Sequence, residues 1–166
     1  GNVRILPVKV LDSQGSGLYS DIADGIRYAA DYGAQVINLS LGGIYDSPVL
    51  SSAVYYAMEP EHNALIVASA GNCAITGTDC PTANPQIYPA AFPGVLAVAA
   101  GDRYDRWSAY SGYKPYIGIA APGGVADPDG AILSTVRGGG YGYLYGTSMA
   151  APLVAGAAAL VWTMRP

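Results

Sequence analysis

The sequence predicts an α/β protein of three layers, with a mostly parallel sheet covered by helices on both faces. Short runs rich in β-branched residues alternate with longer helical stretches along the 166 residues. Apolar residues make up 51% of the chain and charged residues 12%, which supplies a core and excludes a disordered chain. The 22 glycines and 12 prolines follow no repeat, which indicates many tight turns and excludes collagen-like and coiled-coil architectures.

The first part of the chain reads strand, helix, strand, helix, strand. The predicted strands cover residues 3–11, 35–41 and 65–70, and the predicted helices cover 18–33 and 47–58. In the first helix Leu18, Ile22 and Ile26 recur at helical spacing. Such an alternation implies parallel strands joined by right-handed crossovers.

The second part of the chain begins with a long proline-rich loop over residues 73–93. Further strands are predicted at 95–100, 116–121, 131–136 and 141–145, with a glycine-rich turn at 137–140, and an alanine-rich helix runs from 147 to about 164. We find no internal repeat and no linker. Residues 1–166 are therefore expected to form one domain or part of one.

Charge and composition exclude several kinds of partner. Eight basic and twelve acidic residues give a net charge of −4 without a Lys/Arg cluster, so no nucleic-acid partner is expected. The longest apolar stretch, residues 150–162, contains Pro152 and Gly156 and is shorter than a bilayer span, so no membrane span is expected. The first residues do not have the pattern of a secretion leader, so any such signal is expected to have been removed or to lie upstream. The 14 tyrosines suit a hydrated surface or groove, and the scarcity of lysine and glutamate favours an extracellular protein.

The two cysteines, Cys73 and Cys80, lie close together in a Gly/Thr/Pro-rich loop. A disulfide is the favoured interpretation and would contribute about 2–3 kcal/mol. Two free thiols are the main alternative. A metal site is less favoured, because the single histidine, His62, has no second pair of metal-binding residues beside it.

Polar segments follow three of the predicted strands. They are Gly15-Ser16-Gly17, Ser40-Leu41-Gly42-Gly43 and Ser69-Ala70-Gly71-Asn72. In parallel sheets ligands bind outside the carboxyl ends of the strands, so these segments predict where a site lies. The Asn72 amide could donate to a developing oxyanion, or Asn72 could simply end a turn.

A serine begins the last predicted helix, in the motif Gly146-Thr147-Ser148-Met149-Ala150-Ala151-Pro152. Its hydroxyl could cap the helix or face the cleft as a nucleophile. The small residues on both sides favour the nucleophile, because they let a substrate backbone approach closely.

These motifs resemble those of the subtilisin-like serine proteases, along essentially the whole chain. The resemblance implies a subtilisin-like fold with Ser148 as nucleophile and Asn72 as oxyanion donor. It also implies that Ser40, Leu41 and Gly42 line the primary specificity pocket. Ser69, Ala70 and Gly71 belong to the segment that bears the oxyanion asparagine and are expected to bind substrate. It further implies that Gly15, Ser16 and Gly17 pair with substrate backbone and that Tyr19 forms an aromatic wall. An endopeptidase that favours apolar or aromatic side chains is the family's default.

The chain departs from this family in one respect. The family orders its catalytic triad as Asp, His, Ser, and neither an Asp-Thr/Ser-Gly nor a His-Gly-Thr segment occurs in these 166 residues. The chain therefore resembles the C-terminal portion of a catalytic domain, and we expect that domain to be incomplete at its N-terminus. The expected partners are a peptide substrate, an upstream segment carrying Asp and His, and a propeptide. We expect the isolated chain to be inactive.

Other interpretations of the same residues have less support. His62 precedes the strand that Asn72 follows, which puts it at the wrong end of the sheet for a base, and we expect it on the surface. Lys9, in a buried strand, and Lys114, in a loop, give little support to a Ser–Lys dyad. A subtilase-like module that binds without catalysis is the main alternative function. A nucleotide-binding domain would depend on Gly15-Ser16-Gly17 alone, which lacks the spacing of a dinucleotide fingerprint.

No cofactor is required for the implied chemistry, and no metal site is predicted. Structural calcium occurs in the family, but Asp127-Pro128-Asp129-Gly130 reads better as a turn than as part of a ligand loop. Asp102 and Asp105 are expected in a solvated loop.

Overall fold

A parallel sheet with helices on both faces is the centre of the computed structural model, which describes residues 3–74, 80–127 and 129–164. This confirms the predicted fold class. In chain order the elements are α1 Tyr19–Asp31, β1 Val36–Leu39, α2 Pro48–Met58, β2 Leu65–Ser69, β3 Leu96–Gly101, β4 Ile117–Pro122, β5 Ile132–Val136, β6 Gly140–Leu144 and α3 Thr147–Met164.

The sheet has the strand order β1-β2-β3-β4, and all three pairings are parallel. Because the strands run in the same direction, the segments that follow them meet at one edge of the sheet. β5 and β6 pair antiparallel with each other and form a separate two-stranded sheet. The predicted strands at 131–136 and 141–145 thus form a hairpin directly before α3.

The helices bury alternate residues of the strands on the two faces. On one face α1 and α2 pack against a core that includes Ile37, Ile66 and Ala97. On the other face α3 packs against a second core that includes Val67 and Val98. The two faces of each strand therefore serve different helix layers, as period-2 alternation requires.

Local sequence explains where the first two helices begin and end. The Ser47 hydroxyl accepts a hydrogen bond from the Leu50 N–H (3.4 Å), which caps α2, and Pro48 occupies its first turn. Past the end of α1, Gly33 adopts φ +76°, a conformation that glycine adopts without steric cost.

The predicted buried strand over residues 3–11 is wrong. The segment is extended but pairs with no strand of the described chain, and residues 3–9 are exposed. It is held by α1 instead, since a side-chain carbon built on Gly25 would collide with Val8 and Val10. The apolar pattern marks a segment fit for burial, but pairing needs a neighbouring strand, and a cavity separates this segment from β1.

The helix α3 is long and apolar enough, by length and composition, to cross a membrane, and 22% of it is buried. Its inner face packs against the sheet through Ala150, Ala151 and Val154. The prediction considered residues 150–162 alone, and the helix extends beyond that stretch at both ends. Packing against the sheet accounts for the apolar residues on its inner face.

Candidate functional site

The candidate site lies at the carboxyl edge of the sheet, where β1 and β2 end side by side. The two strands are parallel and in register to their ends, so the following segments 40–43 and 69–72 are neighbours. The Ser69 hydroxyl donates a hydrogen bond to the Leu41 carbonyl (3.4 Å), which ties the segments together. Two of the three polar segments expected at this edge are thus adjacent.

Ser148 lies in the first turn of α3, directly against the end of β1. The Ser40 hydroxyl donates to the Ser148 carbonyl (2.8 Å), and the Ser148 hydroxyl donates to the Ser40 carbonyl (3.3 Å). The helix N-terminus favours negative charge developing near this hydroxyl. A peptide carbonyl accepts the hydrogen bond but takes no proton at neutral pH, so Ser40 is not a general base.

Asn72 is fixed by contacts with Thr147. Asn72 Oδ1 accepts hydrogen bonds from the Thr147 N–H (2.9 Å) and from the Thr147 hydroxyl (3.0 Å). Because an N–H can only donate, these contacts place the amide oxygen towards Thr147 and turn Nδ2 away from it. The N–H₂ group lies instead next to Gly146, two residues before Ser148.

Thr147 is a site residue that the sequence reasoning missed as such. It is 1% exposed, and its hydroxyl also accepts a hydrogen bond from the Gly71 N–H (3.1 Å). One hydroxyl therefore joins the end of β2 to the start of α3. The sequence did contain a signal for this role. Thr147 is a hydroxyl residue at the start of a helix, where Ser and Thr side chains commonly form hydrogen bonds with the backbone.

Gly146 provides space for this amide. Its φ is +146°, and a side-chain carbon built there would lie 3.2 Å from Asn72 Nδ2. The Gly146 N–H donates to the Gly123 carbonyl (2.8 Å), which anchors the approach to α3. A larger residue here would strain the backbone and crowd the donor.

The segment Gly15-Ser16-Gly17 is an exposed loop organised by Asp12. The Asp12 carboxylate accepts hydrogen bonds from the N–H groups of Ser16 (3.0 Å) and Gln14 (2.8 Å), which lower the pKa of that carboxyl. The Asp12 N–H donates in return to the Ser16 carbonyl (2.8 Å). The backbone of Ser16 is thus used within the loop, and the Gly15 N–H also donates within it, to the Asp12 carbonyl (3.3 Å).

Tyr19, the first residue of α1, lies against the other glycine-rich segment. Its hydroxyl donates to the Tyr45 carbonyl (3.3 Å), and its ring packs on Gly43. Within the neighbouring segment Ser69 and Ala70 are buried, at 3% and 1% exposure. These two residues support the site from below and offer no side chain to a ligand.

A cavity of about 1170 Å³ separates residues 3–11 from β1. Its two sides are formed by the extended segment 3–11 and by residues 35–41, and α1 and α3 close it from the two faces of the sheet. The residues contributed by α3 are Pro152, Ala155, Gly156, Ala159, Trp162 and Thr163. Ser40 and Leu41 lie at the end that adjoins Ser148. The surroundings of the cavity are therefore those of a strand within a parallel sheet, with extended backbone on both sides and apolar helices on both faces.

The two cysteines form a disulfide immediately after Asn72. Cys73 and Cys80 are bonded, with a Cα–Cα distance of 5.4 Å. The Ala74 N–H also donates to the Tyr110 carbonyl (3.0 Å), so the chain leaving Asn72 is held covalently and by backbone. Residues 75–79 lie outside the described part of the chain.

His62 is not near the site, and it is partly exposed. Its side chain is 17% exposed, packs at a tilt against Tyr56 with 4.3 Å between ring centroids, and lies 3.4 Å (Nε2 to Oδ1) from Asp31. His62 precedes β2, whereas Asn72 follows β2, so the two residues lie at opposite ends of that strand. Lys9, expected in a buried strand, is exposed in the extended segment.

Asp102 is buried, at 9% exposure, and the prediction of a solvated loop is wrong for it. Its carboxylate binds Arg106 Nη2 (2.7 Å) and accepts hydrogen bonds from the N–H groups of Tyr104 (2.8 Å) and Arg106 (3.1 Å). Burial alone would raise the pKa of Asp102, but the bonds from Arg106 and Tyr104 outweigh it and lower the pKa. Asp102 thus organises the turn that follows β3.

Among the described residues, no three His, Cys, Asp or Glu side chains cluster as metal ligands would. Asp127 and Asp129 lie in a turn closed by the Gly130 N–H on the Asp127 carbonyl (2.8 Å). Pro128, the remaining member of that tetrapeptide, lies outside the described residues. The arrangement is a turn, as the sequence favoured.

Comparison with known proteins places these features in context. The profile of the subtilase family matches residues 1–166. The chain is 46% identical over 160 residues to the thermophilic serine proteinase of Bacillus sp. (strain AK1), covering 96% of this chain and 36% of that protein. It is 45% identical over 163 residues to the cell wall-associated protease of Bacillus subtilis (strain 168), covering 98% of this chain and 16% of that protein.

Solved structures share the architecture. A protease from Pseudoalteromonas arctica PAMC 21717 aligns with a TM-score of 0.82 at 37% identity, covering 96% of this chain and 50% of that one. The chain thus spans about half of this solved structure and about a third of the Bacillus sp. relative.

Proposed function

The chain belongs to the subtilase family of serine proteases, and on that premise we propose that it supplies the nucleophile, the oxyanion donors and much of the substrate groove of a serine endopeptidase. Ser148 is the proposed nucleophile. Asn72 Nδ2 and the Ser148 N–H are the proposed oxyanion donors.

The observation that carries this proposal is the orientation of Asn72. Thr147 holds the amide oxygen through two hydrogen bonds, which leaves Nδ2, on the side of Gly146, as the available donor. The N–H groups of a first helical turn have no partner within the helix, so the Ser148 N–H can serve as a second donor. Two fixed donors next to a hydroxyl are what stabilisation of a tetrahedral oxyanion requires.

The proposed reaction is acyl transfer. Ser148 Oγ attacks the carbonyl carbon of a peptide bond while a histidine takes the hydroxyl proton, and the negative oxygen is held by Asn72 Nδ2 and the Ser148 N–H. The C–N bond then breaks as the histidine returns the proton to the leaving amine. Water hydrolyses the acyl ester on Ser148 by the same route and restores the hydroxyl.

We propose that the histidine and the aspartate that orients it come from residues other than these 166. The Ser148 hydroxyl is bound to a carbonyl, and His62 lies before β2 rather than after it. The cavity between residues 3–11 and β1 is the proposed place for that upstream segment, because its lining suits a strand and its end adjoins Ser148. The notion that residues 1–166 are the C-terminal part of a peptidase domain is part of this proposal.

The proposed substrate is an extended peptide. The Ser16 backbone and the Gly15 N–H are used within their loop, so the Gly15 carbonyl and the Gly17 backbone are the groups that would pair with substrate backbone. Segments 40–43 and 69–72 would take a side chain between them. We propose an extracellular location. The disulfide favours an oxidising compartment, and one relative is named a cell wall-associated protease.

Peptide hydrolysis tests the proposed function. The full-length product of the gene should cleave a chromogenic peptide, and Ser148→Ala should abolish the cleavage. Ser13→Ala is the matched control, because Ser13 is an exposed serine outside the site. The 166-residue chain alone should show no turnover above background. A full-length product that folds and binds peptides without cleaving them would instead support a binding module.

A further inference from the structure

Ile87, which lies outside every predicted site segment, occupies the space between segments 40–43 and 69–72. We call this space the slit. A side-chain carbon built on Gly42 would lie 2.5 Å from Ile87 Cγ2, and one built on Gly71 would lie 2.5 Å from Ile87 Cγ1. The two glycines therefore face the same isoleucine from either side. Ile87 fills the space that the absence of their side chains leaves.

Ile87 is held in this position by its neighbours. Tyr88 pairs with Gly43 through two backbone hydrogen bonds (2.9 and 2.8 Å), which fixes the loop against segment 40–43. The Ile87 N–H donates to the Tyr116 hydroxyl (3.1 Å), and its side chain is buried, at 6% exposure. A β-branched side chain in such a setting has little rotamer freedom, so it cannot turn aside easily.

We infer that Ile87 determines substrate specificity by closing the base of this slit, so that it admits a small side chain such as alanine and rejects an aromatic one. The inference rests on the proposed function. It concerns the substrate residue that precedes the bond to be cleaved, because the slit lies between the segments that contact Ser148 and Thr147. It departs from the apolar or aromatic preference that family resemblance alone implied.

The energetic argument is one of volume. A phenyl ring placed between the segments would have to displace a buried, branched side chain or remain partly outside, whereas a methyl group needs no displacement. Single methylene differences in enzyme pockets change discrimination by about 10- to 200-fold, and the ring and methyl differ by more than that. We therefore expect a preference for alanine over phenylalanine of at least about 10-fold.

The first test is kinetic. Two peptide p-nitroanilides that differ only in alanine or phenylalanine before the anilide are compared on the full-length product. The expected kcat/KM is at least about 10-fold higher for alanine, and Ile87→Ala should reverse the order. Ile119→Ala is the matched control, since Ile119 is an exposed isoleucine on β4, and it should leave the ratio unchanged.

The second test needs no catalysis, so it separates this inference from the proposed function. Calorimetry measures binding of the corresponding peptide acids to the Ser148→Ala protein with and without Ile87→Ala. The expected result is tighter binding of the alanine peptide, reversed by Ile87→Ala. Equal binding of the two peptides before any change at Ile87, or a ratio that Ile87→Ala does not move, overturns the inference even where hydrolysis is observed. Should Ile87→Ala not fold, two other measurements decide the same question. One is the binding ratio for Ile87→Val, and the other is binding to the unchanged pocket of peptides that end in Gly, Ala, Val, Leu or Phe.

Discussion

Thr147 is the residue that connects the elements of the site by hydrogen bonds. Its single hydroxyl donates to Asn72 and accepts from the Gly71 N–H, so the amide proposed to bind the oxyanion, the end of β2 and the start of α3 are all held by one residue. Since Thr147 would touch neither substrate nor product, its proposed role is positioning. This role requires a hydroxyl that both donates and accepts a hydrogen bond. Valine has nearly the same volume as threonine but has no hydroxyl.

Replacing Thr147 by valine should therefore lower kcat more than it raises KM. Loss of the orientation of Asn72 is expected to reduce kcat of the full-length product by about 10- to 100-fold. Thr147→Ser should restore most of the rate, because it keeps the hydroxyl. Thr135→Val, on the exposed strand β5, is the matched control and should have little effect. An equal loss for Thr147→Ser and Thr147→Val would argue for packing alone.

Removal of the oxyanion donor itself should have a larger effect. Asn72→Ala is expected to lower kcat by about 100- to 1000-fold, which is the magnitude already known for loss of such a donor in subtilisin, a member of this family. KM should change little, because the donor acts on charge that develops in the transition state. Steady-state kinetics on the full-length product measures both parameters. An unchanged kcat would remove Asn72 from the mechanism.

Asp102 predicts a pH dependence of stability. Its pKa is lowered in the folded protein, so its contribution to stability is present above the ordinary carboxyl pKa of about 3.9 and is lost as the pH falls through the lowered value. The urea midpoint of the full-length product should thus fall between pH 5 and pH 2.5, and Asp102→Asn should weaken that dependence. Asp105→Asn, a change at a neighbouring exposed carboxyl, is the control.

Prediction from sequence succeeded and failed at this scale for identifiable reasons. Ser148 and Asn72 each lie in a local sequence motif, so the residues next to them were enough to indicate them as candidates. In the structure both adjoin Thr147, which is hydrogen-bonded to Asn72 and precedes Ser148 in the chain. Ile87 could not be found this way, because its contact with Gly42 and Gly71 joins residues far apart in the chain. Likewise Asp102 is buried by a partner, Arg106, that makes a charged loop residue stable inside.

Among the elements, the helices and central strands follow closely from the sequence, and the hydrophobic period explains why. The apolar stripe of α1 and the alternating faces of β1 and β2 each meet a partner that is present. Residues 3–11 carry an equally apolar pattern but pair with no strand in the described chain. Periodicity shows that a segment is suited to a sheet, whereas pairing also depends on the strand next to it.

The cap of α2 gives a test at the level of one element. Ser47→Ala removes the hydroxyl that accepts the Leu50 N–H, which is buried, and should lower the free energy of unfolding by about 1 kcal/mol. Ser52→Ala, in the same helix, should cost less, because its hydroxyl is exposed and accepts only from the Arg27 side chain (3.0 Å), in a bond that water can replace. Urea denaturation of the full-length product measures both. Equal effects of the two changes would show that the cap is not what stabilises this helix end.

For the whole molecule, the cavity beside β1 has consequences for how the 166 residues behave alone. It leaves an unpaired strand edge and apolar side chains such as Ile5, which is 88% exposed. The isolated chain should therefore self-associate, and light scattering should report species larger than a monomer. A clean monomer with a cooperative thermal transition would contradict this expectation.

Labelling by a fluorophosphonate probe tests the central claim most directly, since the probe reacts only with an activated serine. It is applied to the 166-residue chain and to the full-length gene product, and the adduct is mapped by mass spectrometry. The account predicts an adduct on Ser148 in the full-length product and none on the chain alone. The proposed nucleophile donates its hydroxyl hydrogen to the Ser40 carbonyl, which cannot act as a base. Absence of an adduct on a folded full-length product, or an adduct on another serine, would contradict it.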